Sequence, residues 1–170
     1  MADRNRTLLD EALESWTFTR EGVIAEALNI PAEHYGFRPT PQSRSVAELL
    51  RHITESALMA VGELTNPAGD FRRQGYPEFL KEYASHVGGS TTRDELIDLL
   101  RRTDADGQAR LREAGELLLL QHIRRFDGML GTRMAWVWHA IDHESYHRGQ
   151  LALYARILGI VPALTKQIHG

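Results

Sequence analysis

The sequence contains no cysteine, which excludes a disulfide scaffold, thiolate-bound zinc, iron–sulfur ligation and a cysteine nucleophile. It also lacks charge of one dominant sign. Twenty basic and 23 acidic side chains leave a formal charge of -3, so there is no positive field to hold a polyphosphate backbone and no nucleic-acid partner is expected. Lysine is scarce, with only Lys81 and Lys166 beside a majority of arginines, a compositional bias that carries little functional weight. No apolar run reaches the length of about 18 residues needed to span a bilayer. The opening MADRNRTLLDEALESW is too polar for a signal peptide, so the expectation is a soluble cytoplasmic chain with no membrane partner. No P-loop, dinucleotide glycine pattern or Gly-x-Ser-x-Gly elbow is present.

What is there suffices for one domain over residues 1–170. With 42% hydrophobic and 25% charged residues, the chain can bury a core and still coat it. Leu9, Ala12, Leu13, Trp16, Val23, Ala27 and Leu28 recur at helical spacing and predict a helix over 3–29, stopped by Asn29-Ile30-Pro31. The segment PAEHYGFRPTPQS holds three prolines and a glycine and reads as an ordered connection. Ser43 or Ser45 can then cap a second helix whose stripe runs from Val46 to Leu64 before Asn66-Pro67. Pro77 can start a short helix that ends by Gly88-Gly89. Thr92-Arg93-Asp94-Glu95 fits a capping box for a third long helix to about residue 114. ELLLLQHI suits an extended piece or a buried helical turn equally well. A last helix runs from Gly131 or Thr132 to about Leu158, closed by Gly159, with residues 159–170 as a tail that docks or frays. Four long helical patterns without a convincing strand set predict an all-α, antiparallel four-helix bundle.

Three of the eight histidines, His139, His143 and His147, stand four residues apart in this last helix. Imidazoles one turn apart lie about 6 Å apart along the axis and can share one metal ion; His139 and His147, at about 12 Å of rise, cannot. Helical geometry selects the pair, because His143 and His147 fall in the apolar sector of Trp136, Ala140, Tyr154 and Leu158, whereas His139 sits about 60° back from Trp136. A third ligand must come from a facing helix. His52 leads, at the border of the second helix's apolar stripe, with His139 and His86 next. His34, His122 and His169 read as surface residues. Two inward imidazoles need hydrogen bonds or a metal, because an unpaired buried polar group costs about 1–3 kcal/mol.

His143-Glu144-x-x-His147 matches the zinc-protease pattern literally. Residues 148–170 contain no Asp or Glu, however, and Leu153 stands where the extended motif needs histidine. Glu144 turns about 60° away from His147 and reads as a helix-surface acid or one supporting a ligand from behind. Glu144-x-x-His147 is also half of a di-iron carboxylate motif, but a second Glu-x-x-His is missing. Glu48, one turn before His52, is a candidate support for that ligand, and no general base is identifiable.

Together, FRPTPQSRSVAELLRHI and IDHESYHRGQLALYARILGI resemble the DinB-like superfamily, which includes the YfiT-type proteins. The likeness covers nearly the whole chain, with residues 67–127 departing most; His-x-x-x-His-Arg-Gly-Gln-Leu is its specific part. The resemblance implies a four-helix bundle, often a homodimer, with a divalent metal on His52, His143 and His147. It further implies metal-dependent hydrolase or thiol S-transferase chemistry on a small-molecule substrate, with low-molecular-weight thiols such as bacillithiol or mycothiol as cosubstrates. Three neutral ligands leave an ion its full charge and an open position, as catalytic sites do; zinc and nickel both suit imidazole. The alternative is a noncatalytic, stress-related bundle with a structural or vestigial site.

Overall fold

The computed structural model describes residues 6–169. Its elements are α1 (Leu8–Asn29), α2 (Val46–Thr65), α3 (Tyr76–Ala84), α4 (Arg93–Leu119), β1 (His122–Arg124), β2 (Leu130–Thr132), α5 (Arg133–Ile157) and α6 (Ala163–His169), with a 3₁₀ turn at Ala32–His34. Thr7, Ser45 and Thr92 each cap a long helix in a reciprocal box with Asp10, Glu48 and Glu95. Side-chain oxygen and backbone N–H thereby satisfy each other where a helix start has no partners of its own. Of the two serines that could start α2, Ser45 does so. The beginning of the first helix expected from residue 3 lies outside the described residues as far as residue 5, and the helix itself opens at Leu8.

The long helices form a ring of four faces, α1 against α5, α5 against α2, α2 against α4, and α4 against α1. The four-helix bundle is therefore as expected, with α1 and α2 across the diagonal although they are consecutive in sequence. No helix among the described residues is long and apolar enough to cross a membrane.

Residues 115–132 settle the open segment and correct the expectation of no strands. Gly115 takes φ 78, ψ 157 inside α4, a left-handed φ that favours glycine, and breaks the helix into a main run and a last turn carrying Leu119. His122–Arg124 then pairs antiparallel with Leu130–Thr132 in a small hairpin. Three residues per strand give too little alternation to be read from sequence. The C-terminal tail docks: the buried Glu26 carboxylate accepts from the backbone N–H groups of Ala163 (2.9 Å) and Leu164 (3.2 Å) at the start of α6.

The core is divided. One apolar cluster gathers Leu13, Trp16, Met59, Phe71, Phe79 and Val137; another gathers Val23, Ile30, Leu50, Leu96, Leu151 and Tyr154. Every long helix also contributes polar groups that meet in two clusters: Arg20 on α1 and Thr103 on α4 with Glu144 on α5, and His52 on α2 with His143 and His147 on α5. Burying a large apolar side chain contributes about 1.5–3 kcal/mol, so the two apolar halves hold the bundle and leave its waist free to carry polar chemistry.

Candidate metal centre

α2 and α5 pack face to face, and this contact brings His52 opposite the His143/His147 turn. The Nε2 atoms of His143 and His52 are 3.2 Å apart, those of His147 and His143 3.0 Å. One nitrogen from each ring lies within 4.8 Å of both others. His147 is buried, and His52 and His143 are half-buried. The three rings meet edge to face, with centroids 4.4–5.0 Å apart.

The arrangement selects the neutral, lone-pair form of each ring. Burial, aided by the nearby Arg44 charge, holds His52 down to about 3. Burial and the neighbouring His147 bring His143 to about 4. Burial also lowers His147, against the opposing hydrogen bond that its ring donates to Gln150. His147 Nδ1 lies 2.7 Å from Gln150 Oε1; with the ring nitrogen donating, the proton sits on Nδ1 and the Nε2 lone pair points at the other two histidines. Neutral nitrogen donors, one of them oriented from behind, are the donor set a borderline divalent cation takes. The residues fit a metal ion.

The sequence-derived candidates sort accordingly. His52, His143 and His147 come together, and the histidines held in reserve do not join them. His139 is exposed and packs its ring on Trp136 at 4.4 Å, while His86, His122 and His169 are exposed and His34 is half-buried in the 3₁₀ turn.

Two acids need correction. Glu144 is not at the surface: it is buried on the side of α5 that faces α1, where its carboxylate accepts from Trp16 Nε1 (2.8 Å), Arg20 Nε (2.8 Å) and Arg20 Nη2. A carboxylate so engaged cannot serve as the base of the zinc-protease pattern. Glu48 does not support His52. It closes the Ser45 cap (2.7 Å) and pairs with Arg38 (3.1 Å).

Sequence reasoning missed several groups around the centre. Gln150 stands three residues after His147, a helical spacing that could have been read. Arg44, Phe71 and Phe126 could not, because they reach the site from connections and the hairpin without any periodic signal, and Tyr76 enters from the start of the short α3; Trp136 was visible only as part of the inward sector of α5.

Known proteins agree with this picture. The sequence matches the DinB family over residues 1–168. No curated protein matches the chain. Among solved structures, the DinB-like protein YjoA from Bacillus subtilis is 24% identical, with 88% of this chain and 92% of that one covered and a TM-score of 0.65. YfiT from Bacillus subtilis, described as a probable metal-dependent hydrolase with an unusual four-helix bundle topology, is 14% identical over 94% of each chain at a TM-score of 0.62. A mycothiol-dependent maleylpyruvate isomerase is 15% identical at a TM-score of 0.68, the match spanning 84% of this chain and 60% of the isomerase. With the family match extending over both halves of the bundle and both histidine-bearing helices, the chain belongs to the DinB family.

Proposed function

We propose that the protein is a metal-dependent enzyme acting on a small molecule, with a divalent ion, zinc or nickel, held by the Nε2 atoms of His52, His143 and His147. The observation that carries this reading is the convergence of three lone-pair nitrogens from two helices, 3.0–3.2 Å between successive Nε2 atoms. When bound, such an ion supplies Lewis acidity that lowers the pKa of a water or of a low-molecular-weight thiol, giving an anionic nucleophile near neutral pH. The chain's own residues do the rest. Gln150 fixes the tautomer of His147, the half-buried position of His52 and His143 limits bulk water while leaving access, and the apolar halves of the core keep the rings in place. Hydrolysis and thiol S-transfer are the two reactions this centre serves, and the second is favoured by the fold shared with a mycothiol-dependent isomerase.

Elemental analysis of the untagged protein tests the reading. About one divalent ion per chain is expected, lost in His52→Ala, His143→Ala and His147→Ala while far-UV circular dichroism stays native. Unchanged occupancy in His52→Ala would remove the third ligand. Unfolding on substitution would make the site structural rather than catalytic.

A further inference from the structure

The three imidazoles lie between two recesses of opposite chemistry. On the His143 side is a cavity of about 140 Å³ walled by Met59, Ala60, Phe71, Phe126, Trp136 and His143. Its aromatic rings pack on one another, Phe71 to Trp136 at 4.9 Å and Phe71 to Phe126 at 5.0 Å. An apolar cavity of about 150 Å³ holds a benzene ring. One polar feature marks this wall: Ser56 Oγ and Tyr76 Oη lie 3.0 Å apart.

On the His52 side, Tyr76 also borders a polar cleft reached by Arg38, Arg44, Arg51 and Glu55. The three cations are not equivalent. Arg38 is paired with Glu48, and Arg51 donates to the Ser90 carbonyl (3.2 Å). Arg44 forms no ion pair with a described residue, and its charge is felt by all three imidazoles. Two acids share the cleft: Glu48 is engaged by the Ser45 cap and by Arg38, and Glu55 faces the cations with its carboxyl raised by burial. The gap between the two recesses is bridged by the His52 and His143 rings, whose centroids are 5.0 Å apart.

We propose that the cavity and the cleft together bind an amphipathic organic anion, with an aromatic ring or similarly sized apolar group against Phe71 and Trp136 and a carboxylate at Arg44. The segment between the two ends then lies against the three histidines. Its placement there as the reacting segment rests on the metal-centre reading, whereas occupancy of the cavity does not. The inference names the substrate class: a short-chain carboxylic acid carrying a ring, with the scissile or activated carbon between them.

The test titrates the untagged full chain, with its metal content measured, against 3-phenylpropionate, 3-phenylpropan-1-ol and butyrate by tryptophan fluorescence and calorimetry. 3-Phenylpropionate is expected to bind saturably, about tenfold or more tightly than either the ring-only or the carboxylate-only probe. Arg44→Gln should lower its affinity to that of the alcohol. Ala60→Phe should abolish binding of both ring-bearing probes, with metal per chain unchanged in both variants; Ser56→Met, one turn earlier on α2, fills the same cavity if Ala60→Phe does not fold. A metal-loaded protein that shows no saturable binding of 3-phenylpropionate, or binding indifferent to both cavity-filling variants, overturns the inference and leaves the metal centre standing. Ring- and Arg44-dependent binding by a protein that holds no metal supports the inference and removes the metal centre instead.

Discussion

His143 and Glu144 are adjacent in sequence and both bring a polar group into the waist of the bundle, yet they turn about 100° apart, toward α2 and α1, into two different kinds of polar cluster. On the Glu144 side every partner is present. Arg20 grips the carboxylate with two nitrogens, adds the Leu100 carbonyl (2.9 Å) and Thr103 Oγ1 (3.2 Å), and Trp16 Nε1 supplies a further donor. On the His143 side three acceptor nitrogens face one another, and only His147 has a partner behind it. A closed network of buried charge specifies how helices meet. The histidine cluster instead gathers three nitrogens of one kind, the donor set that the proposed cation would take. The same helix therefore carries a charge-paired cluster toward α1 and a histidine cluster toward α2, and the difference lies in saturation rather than in polarity.

The largest effect that can break this contrast is on stability. Arg20→Met should cost about 3–5 kcal/mol, because it leaves the Glu144 charge buried without its counter-ion. The double substitution Arg20→Met/Glu144→Leu should recover most of that loss, since an apolar pair of similar volume replaces both ions. Urea denaturation of the three proteins reads it out. His143→Ala in the metal-free protein should shift the midpoint far less. Equal losses for Arg20→Met and His143→Ala would show that the two clusters do the same work, and the distinction drawn above would fail.

Next in size is the one closed contact on the open side. Gln150→Leu removes the acceptor that orients His147 and is expected to weaken metal binding about 10–100-fold, equivalent to about 1.4–2.8 kcal/mol, without displacing the helix. Competition with a chromogenic chelator gives the affinity directly. Gln150→Glu, which keeps an acceptor in the same place, should retain most of it; if both variants bind alike and weakly, the residue acts through packing and not through the tautomer.

The sequence already carried the bundle, the cap at Thr92, Ser45 as one of two candidate caps, and the His143/His147 pair, because each is written in a local period of three or four residues. Four-residue spacing on an apolar face singles out His143 and His147 before any coordinates exist. His52 needed the family likeness as well, since its position at the edge of a stripe is compatible with either solvent or an interhelical gap. Glu144 was misjudged for a related reason. An acid about 60° from a ligand looks peripheral on a helical projection, and only the facing α1 shows that this sector is buried and supplied with Arg20. The substrate side was the least legible. Phe71 sits in a loop, Phe126 in a hairpin of three-residue strands and Arg44 just before a cap, so their convergence depends on tertiary closure that no spacing encodes.

The smallest effect separates the two clusters by their response to acid. In the folded, metal-free protein burial holds His52 at about 3 and His143 at about 4, against 6.5 for the ordinary imidazole, and lowers His147 as well. Between about pH 6.5 and pH 4 the unfolded chain therefore binds protons that the folded one refuses, and stability falls as the pH falls through that window. The contribution is fully present above 6.5 and is lost by the time the folded groups themselves titrate. Partial hydration of the half-buried rings keeps the slope modest, below the effect of removing Arg20. Chelator-dialysed protein should thus show a urea midpoint that declines from pH 7 to pH 4, and His52→Ala/His143→Ala should flatten the decline because two of the three proton-refusing groups are gone. Bound metal should raise the midpoint by a constant amount over the upper part of the window and lose that gain as the pH approaches 4, where protons begin to compete for the same lone pairs. A wild type and a double variant with parallel pH profiles would mean that the imidazoles are solvated in the metal-free protein, and the contrast with the buried Glu144 network would fail at this point.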